Sequence, residues 1–119
     1  MLSPIAADHV NSLRNVGPLD SATHVGRIGI AGDGPHMTLW FELVEGRIKR
    51  AAWSTHGCPS SIACASMAAQ ILTGRTLEQA LSLTSRDLDL LLGGLPDGKG
   101  ACADMAIAAV QAGLGGNPS

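Results

Sequence analysis

Hydrophobic and polar residues alternate most strictly over Met37-Thr38-Leu39-Trp40-Phe41-Glu42-Leu43, which puts Met37, Leu39, Phe41 and Leu43 on one face of a β-strand. Glu45-Gly46 follows as a tight turn, so Arg47 to about Thr55 pairs back as an antiparallel strand. A third strand is expected around His24–Ile30, inside a Gly-rich, polar stretch. Ahead of it, Ile5 to Leu13 reads as a short helix whose apolar side is Ile5, Val10 and Leu13, ended by Asn15-Val16-Gly17-Pro18.

From Pro59 the pattern changes. Ser60 to Leu72 carries Ile62, Met67, Ala69, Ile71 and Leu72 with little polar surface, which predicts a largely buried helix stopped by Gly74. Thr76-Leu77-Glu78-Gln79 has capping-box spacing and opens a shorter helix, and Thr84-Ser85-Arg86-Asp87 caps the next, to about Leu92. Gly93 to Gly98 is a loop, a last helix spans about Gly100 to Ala112, and Gly115–Ser119 reads as a frayed tail. Strands first and helices afterwards predict an α+β fold: a small three-stranded antiparallel sheet with helices on one face. With 119 residues, the expectation is one domain spanning 1–119.

Composition narrows the function classes. Hydrophobic residues make up 45% and aromatics only 3%, so the core is built from Ala, Leu, Ile, Val and Met. The net charge of −2 comes without a basic stripe, which excludes a nucleic-acid footprint. No apolar run reaches the roughly 18 residues of a membrane span, and Met1-Leu2-Ser3-Pro4 does not open a secretion signal, so a cytoplasmic location is expected. Three cysteines, an odd number, argue against a disulfide framework.

The chemistry concentrates at Cys58 and Cys102. Cys58 stands in Thr55-His56-Gly57-Cys58-Pro59-Ser60, between a strand and a helix, with Pro59 suited to the first helical turn. A thiol there feels unpaired N–H groups and the positive helix end, which favour the thiolate that binds metal or attacks sulfur. Cys102 repeats the arrangement after a Gly-rich loop, and the two thiols could meet at one end of the sheet. The bland alternative for each is an inert buried cysteine. Cys64, six positions on, points about 120° away from the Cys58 direction and is expected in the core. Asp33 lies in the turn Gly32-Asp33-Gly34, and spacing alone favours a turn former. His36 beside it, and His9, His24 and His56, read as solvated, though His56 is two residues from Cys58. Gly26–Gly34 matches no nucleotide-binding loop, and Ser60, Ser61 and Ser66 lack the context of a catalytic serine.

Taken together, these segments resemble the IscU/NifU-type iron–sulfur cluster scaffold family, over about Ala6 to Leu114. Asp8-His9 with Arg14-Asn15-Val16-Gly17 is similar to its N-terminal signature. Gly32-Asp33 resembles its Cys-Gly-Asp turn. His56-Gly57-Cys58-Pro59-Ser60-Ser61-Ile62-Ala63 resembles its Tyr-Gly-Cys-x-Ser-x-Ile-Ala stretch. Thr73–Ala80 resembles its Gly-Lys-Ser-Leu-Asp-Glu-Ala segment, and Lys99-Gly100-Ala101-Cys102 falls where the family has its last Cys.

The resemblance implies a non-enzymatic scaffold that takes sulfur from a cysteine desulfurase and iron from a donor. It would hold a labile cluster, usually two-iron two-sulfur, at Cys58, Cys102 and Asp33, and pass it to iron–sulfur acceptor proteins. Two family ligands are replaced, the first Cys by Ala31 and the His before the last Cys by Ala101, and His36 could swing in as a substitute. The reduced set suits zinc at least as well, since zinc accepts mixed sulfur, nitrogen and oxygen donors. A homodimer sharing two sites would collect four thiolates, and a monomer is the other expectation. The chaperone segment Leu-Pro-Pro-Val-Lys becomes Leu95-Pro96-Asp97-Gly98-Lys99, which weakens the case for chaperone delivery. Two further roles stay open: a zinc-binding persulfide acceptor, and a degenerate paralogue without metal.

Overall fold

The structure, a computed structural model, describes residues 2–29 and 34–115. Its elements are α1 (Pro4–Asn11), β1 (His24–Ile28), β2 (His36–Val44), β3 (Arg47–His56), α2 (Pro59–Leu72), α3 (Leu77–Leu81), α4 (Ser85–Leu91) and α5 (Gly100–Leu114). The three strands form an antiparallel meander in the order β1-β2-β3. Its β2–β3 hairpin turns on Glu45 and Gly46, both at positive φ (52° and 77°), the backbone sense that matches strand twist.

Alternation along β2 does what the sequence pattern predicts. Met37, Leu39 and Phe41 are fully buried, and their cross-strand partners Thr55, Trp53 and Ala51 share that face. Helix α2 packs on this side against β3, and α5 against β1 and β2, so the helices lie on one face of the sheet. Alanines make this possible. Ala63, Ala65, Ala68 and Ala69 of α2 and Ala103, Ala106 and Ala109 of α5 are buried, and their short side chains let helix backbones come close. The closest approach is α5 on β1: a Cβ at Gly26 would fall 1.9 Å from the Ala109 carbonyl oxygen, and one at Gly113 2.9 Å from the Gly26 nitrogen.

The outer edge of β3 is covered from both ends. Gly17 N–H donates to Trp53 O (2.7 Å) and Trp53 N–H to Asn15 O (2.9 Å), while Ile48 N–H donates to Arg75 O (2.8 Å) and Gly74 N–H to Ile48 O (2.7 Å). These short segments satisfy an edge that would otherwise template association. On the outer face, Gly17 lies against the Trp40 ring, where a β-carbon would come within 2.5 Å of ring atoms.

Two expectations shift. Helix α1 stops at Asn11, with Ser12 as C-cap, and Leu13 and Ile5 are exposed. Its buried residues are instead Ala6 and His9. Ala6 is small enough for close contact with α2, and His9 is accommodated because its Nδ1 hydrogen-bonds the Ser66 hydroxyl at 2.7 Å. Strand β1 ends at Ile28, where Gly29 takes a φ of 82°. Both capping boxes form: the Thr76 hydroxyl accepts from Gln79 N–H and the Thr84 hydroxyl from Asp87 N–H, with the reciprocal side-chain bonds in place.

Candidate metal centre

Cys58 is the N-cap of α2, one residue beyond the end of β3 and Gly57, with Pro59 in the first turn. Its backbone is extended (φ −81°, ψ 168°), so Sγ stands at the helix mouth, and Ser61 N–H closes the first turn onto the Cys58 carbonyl at 2.9 Å. Cys102 lies in the first turn of α5, where its N–H donates to Lys99 O at 3.0 Å. The fold sets these two helix starts side by side, and Cys58 Sγ and Cys102 Sγ are 3.6 Å apart.

That distance is informative. A disulfide would need about 2.05 Å, and both thiols are free. Two thiolates on one tetrahedral ion, each at about 2.3 Å, lie about 3.8 Å from one another. The observed separation is close to that value and is also that of two thiols in contact.

A third group joins them. Ser61, one helical turn after Cys58, places Oγ 3.7 Å from Cys58 Sγ and 3.5 Å from Cys102 Sγ while itself buried. In sequence, Ser61 lacks the context of a nucleophile, but its position three residues after an N-cap cysteine returns it to the same side of the helix.

The two thiols are not equivalent. Burial pushes the Cys58 thiol up, but the Ser61 N–H, the Ser61 hydroxyl, the Cys102 thiol and the Ser60 N–H outweigh it and bring its pKa down to about 7. Cys102 moves the other way, raised by burial first and by its neighbour Cys58, against the lowering influence of Ser61 and Lys99. Near pH 7 the Cys58 thiolate is therefore about half populated, while Cys102 favours the thiol. Cys64 is fully buried, and burial, helped by the negative groups around it, pushes its pKa up to about 12. It is a neutral core residue.

The pair opens onto a pocket of about 340 Å³ whose walls include Pro35, Gly57, Lys99, Ala101 and Met105. Ala101 contributes only a methyl group where the resembled family carries an imidazole. His36 is not among the lining residues; its ring stacks on His56, with centroids 5.7 Å apart. Ala31 and Asp33 lie outside the described residues. Among the described residues, no group of three or more His, Cys, Asp or Glu side chains is arranged to hold a metal ion. Likewise, none of the described helices is long and apolar enough to cross a membrane.

Comparison with known proteins gives consistent matches over nearly the whole chain. The family profile of the NifU-like N terminal domain matches residues 3–117. The iron-sulfur cluster assembly scaffold protein IscU 1 of Archaeoglobus fulgidus is 36% identical over 111 residues, which covers 93% of this chain and 72% of that protein. The nitrogen fixation protein NifU of Cereibacter sphaeroides is 33% identical over 101 residues, covering 85% of this chain but 41% of that protein. Among solved structures, one described as an iron-sulfur cluster assembly scaffold protein for the SUF system of Fervidobacterium islandicum AW-1 superposes with a TM-score of 0.73 at 18% identity. That superposition covers 94% of this chain and 95% of the other, and it establishes likeness of fold.

Proposed function

Because the chain belongs to the NifU-like N-terminal domain family of iron–sulfur scaffolds, we propose that it receives a labile cluster, or the metal that begins one, on Cys58 and Cys102 and releases it to acceptor proteins. The cluster is cargo, so the chain is a scaffold and not an enzyme. The observation that carries the reading is the 3.6 Å separation of two thiols at two helix starts, beside an open pocket. Thiolates are the usual ligands of iron–sulfur clusters. Two of them leave positions for Asp33 or for groups brought by a partner, and such a site releases its cargo more readily than one closed by four cysteines.

Sulfur would come from a cysteine desulfurase. Cys58 fits that exchange: its thiolate is populated near neutral pH, and it is less buried than Cys102. The donor set also supports a second reading, a zinc-binding persulfide acceptor, because zinc accepts paired thiolates together with carboxylate or water ligands.

Anaerobic reconstitution with iron and sulfide, read by visible absorption and metal analysis, tests the proposal against a parallel titration with zinc. Cys58→Ala and Cys102→Ala each abolish uptake, whereas Cys64→Ala leaves it intact. Full uptake by both single variants would remove the thiol pair from consideration. Charge-transfer bands absent with iron and sulfide, together with tight zinc binding, would select the second reading.

A further inference from the structure

A second pair of metal-binding side chains lies outside the thiol pocket. His36 opens β2, His56 closes β3, and the antiparallel register sets them directly opposite one another. Side chains alternate along a strand, so both imidazoles occupy the face away from Met37 and Leu39. The rings are stacked, 5.7 Å between centroids and 14° from parallel. His56 is exposed and His36 half-exposed, so the rings are free to turn. The backbone beneath them is better held: the Thr55 hydroxyl donates to His36 O at 2.7 Å, within the ladder that joins the two strands.

An ion ligated by two imidazoles demands nearly this spacing. With metal–nitrogen bonds of about 2.0–2.1 Å, the ion sits roughly 3.2 Å from each ring centre, and tetrahedral geometry then puts the centroids about 5 Å apart. The strands already hold the rings within about 1 Å of that value. Rotation of the side chains, with no change of register, turns one nitrogen of each ring inward.

We propose that His36 and His56 form a two-imidazole site for a borderline divalent cation, Zn²⁺, Ni²⁺ or Cu²⁺, separate from the thiol pair. Imidazole suits all three of these ions, whereas thiolates favour zinc, copper(I) and clusters, so nickel(II) and copper(II) are the ions that set the imidazole pair apart. No third His, Cys, Asp or Glu among the described residues completes the set. Water fills the remaining positions, and binding is weaker and faster to exchange than at the two cysteines. The site stands independently of the scaffold reading, since it requires neither thiol.

The test uses Zn²⁺ alone, titrated by competition against a chromophoric chelator into the Cys58→Ser, Cys102→Ser chain. One ion binds, and His36→Gln or His56→Gln each weakens binding by roughly tenfold or more, while His24→Gln does not. Equal affinity after either His36→Gln or His56→Gln, or an equal loss with His24→Gln, overturns the proposal. A second measurement avoids the cysteine variants. In the unaltered chain with excess Zn²⁺, the imidazole nitrogen resonances of both His36 and His56 shift and those of His24 stay; a shift in only one of the pair, or in neither, overturns it equally.

Discussion

At the scale of single residues, the centre is defined by its asymmetry. Cys58 and Cys102 touch, yet hydrogen bonds to the Cys58 sulfur favour its thiolate while burial disfavours that of Cys102. Alkylation by iodoacetamide, followed by mass spectrometry, is expected to reach half its maximal rate at Cys58 near pH 7 and to leave Cys102 slower throughout the neutral range. Ser61→Ala removes one of the bonds to that sulfur, so its midpoint moves upward and the rate at pH 7 drops. An unchanged profile in Ser61→Ala would leave the backbone N–H groups and the Cys102 thiol as the cause. Much of this was legible in the chain: a cysteine before Pro59 announces a helix start, and the helix start lowers a thiol pKa. The difference between the two cysteines was not legible, because it depends on which of two similar sites is more deeply covered.

At the scale of elements, the position of Cys102 is decided far from it, where α5 crosses β1. Gly26 and Gly113 bring backbone against backbone, and no side chain separates them. Gly26→Ala forces a β-carbon toward the Ala109 carbonyl, so α5 must move outward. Overpacking of this kind costs about 1–3 kcal/mol, to be read as a lower denaturant midpoint. Metal uptake should weaken in the same variant, because the displaced helix carries Cys102 away from Cys58. Normal uptake in a destabilised Gly26→Ala chain would show that the helix start is anchored locally. Strand alternation and the two capping boxes could be read directly from spacing, since each involves residues a few positions apart. The buried side of α1 could not. His9 looks polar in sequence, and its burial is explained by the Ser66 hydroxyl on another helix and the Arg14 guanidinium, both within hydrogen-bond reach of Nδ1.

At the scale of the whole molecule, buried titratable groups set the pH range of stability. Burial, more than the neighbouring Arg14, holds His9 below its ordinary pKa, while Asp8 opposes the shift. The folded chain then binds fewer protons than the unfolded one, so stability declines as pH falls below the unfolded histidine value of about 6.5. Cys58 acts in the same direction as pH passes down through about 7. Cys64, held neutral, acts on the alkaline side: stability declines as pH rises above the unfolded thiol value of about 8.5. The denaturant midpoint should therefore peak between these limits and fall from pH 7 to pH 5.5. His9→Gln is expected to flatten the acid limb; an acid limb as steep as before would assign it to other groups.

Sequence by itself determined the strands, the hairpin turn, the helix caps and the placing of two cysteines at helix starts, because all of these follow from interactions between near neighbours in the chain. The fold decided what those residues meet. Cys58 and Cys102 are 44 positions apart and come within 3.6 Å, Ser61 stands between their sulfurs, and His36 faces His56 across a strand pair. Each of these meetings depends on how closely helices can pack on a sheet and on the register in which its strands pair. Those are properties of many distant residues at once, and no local pattern records them.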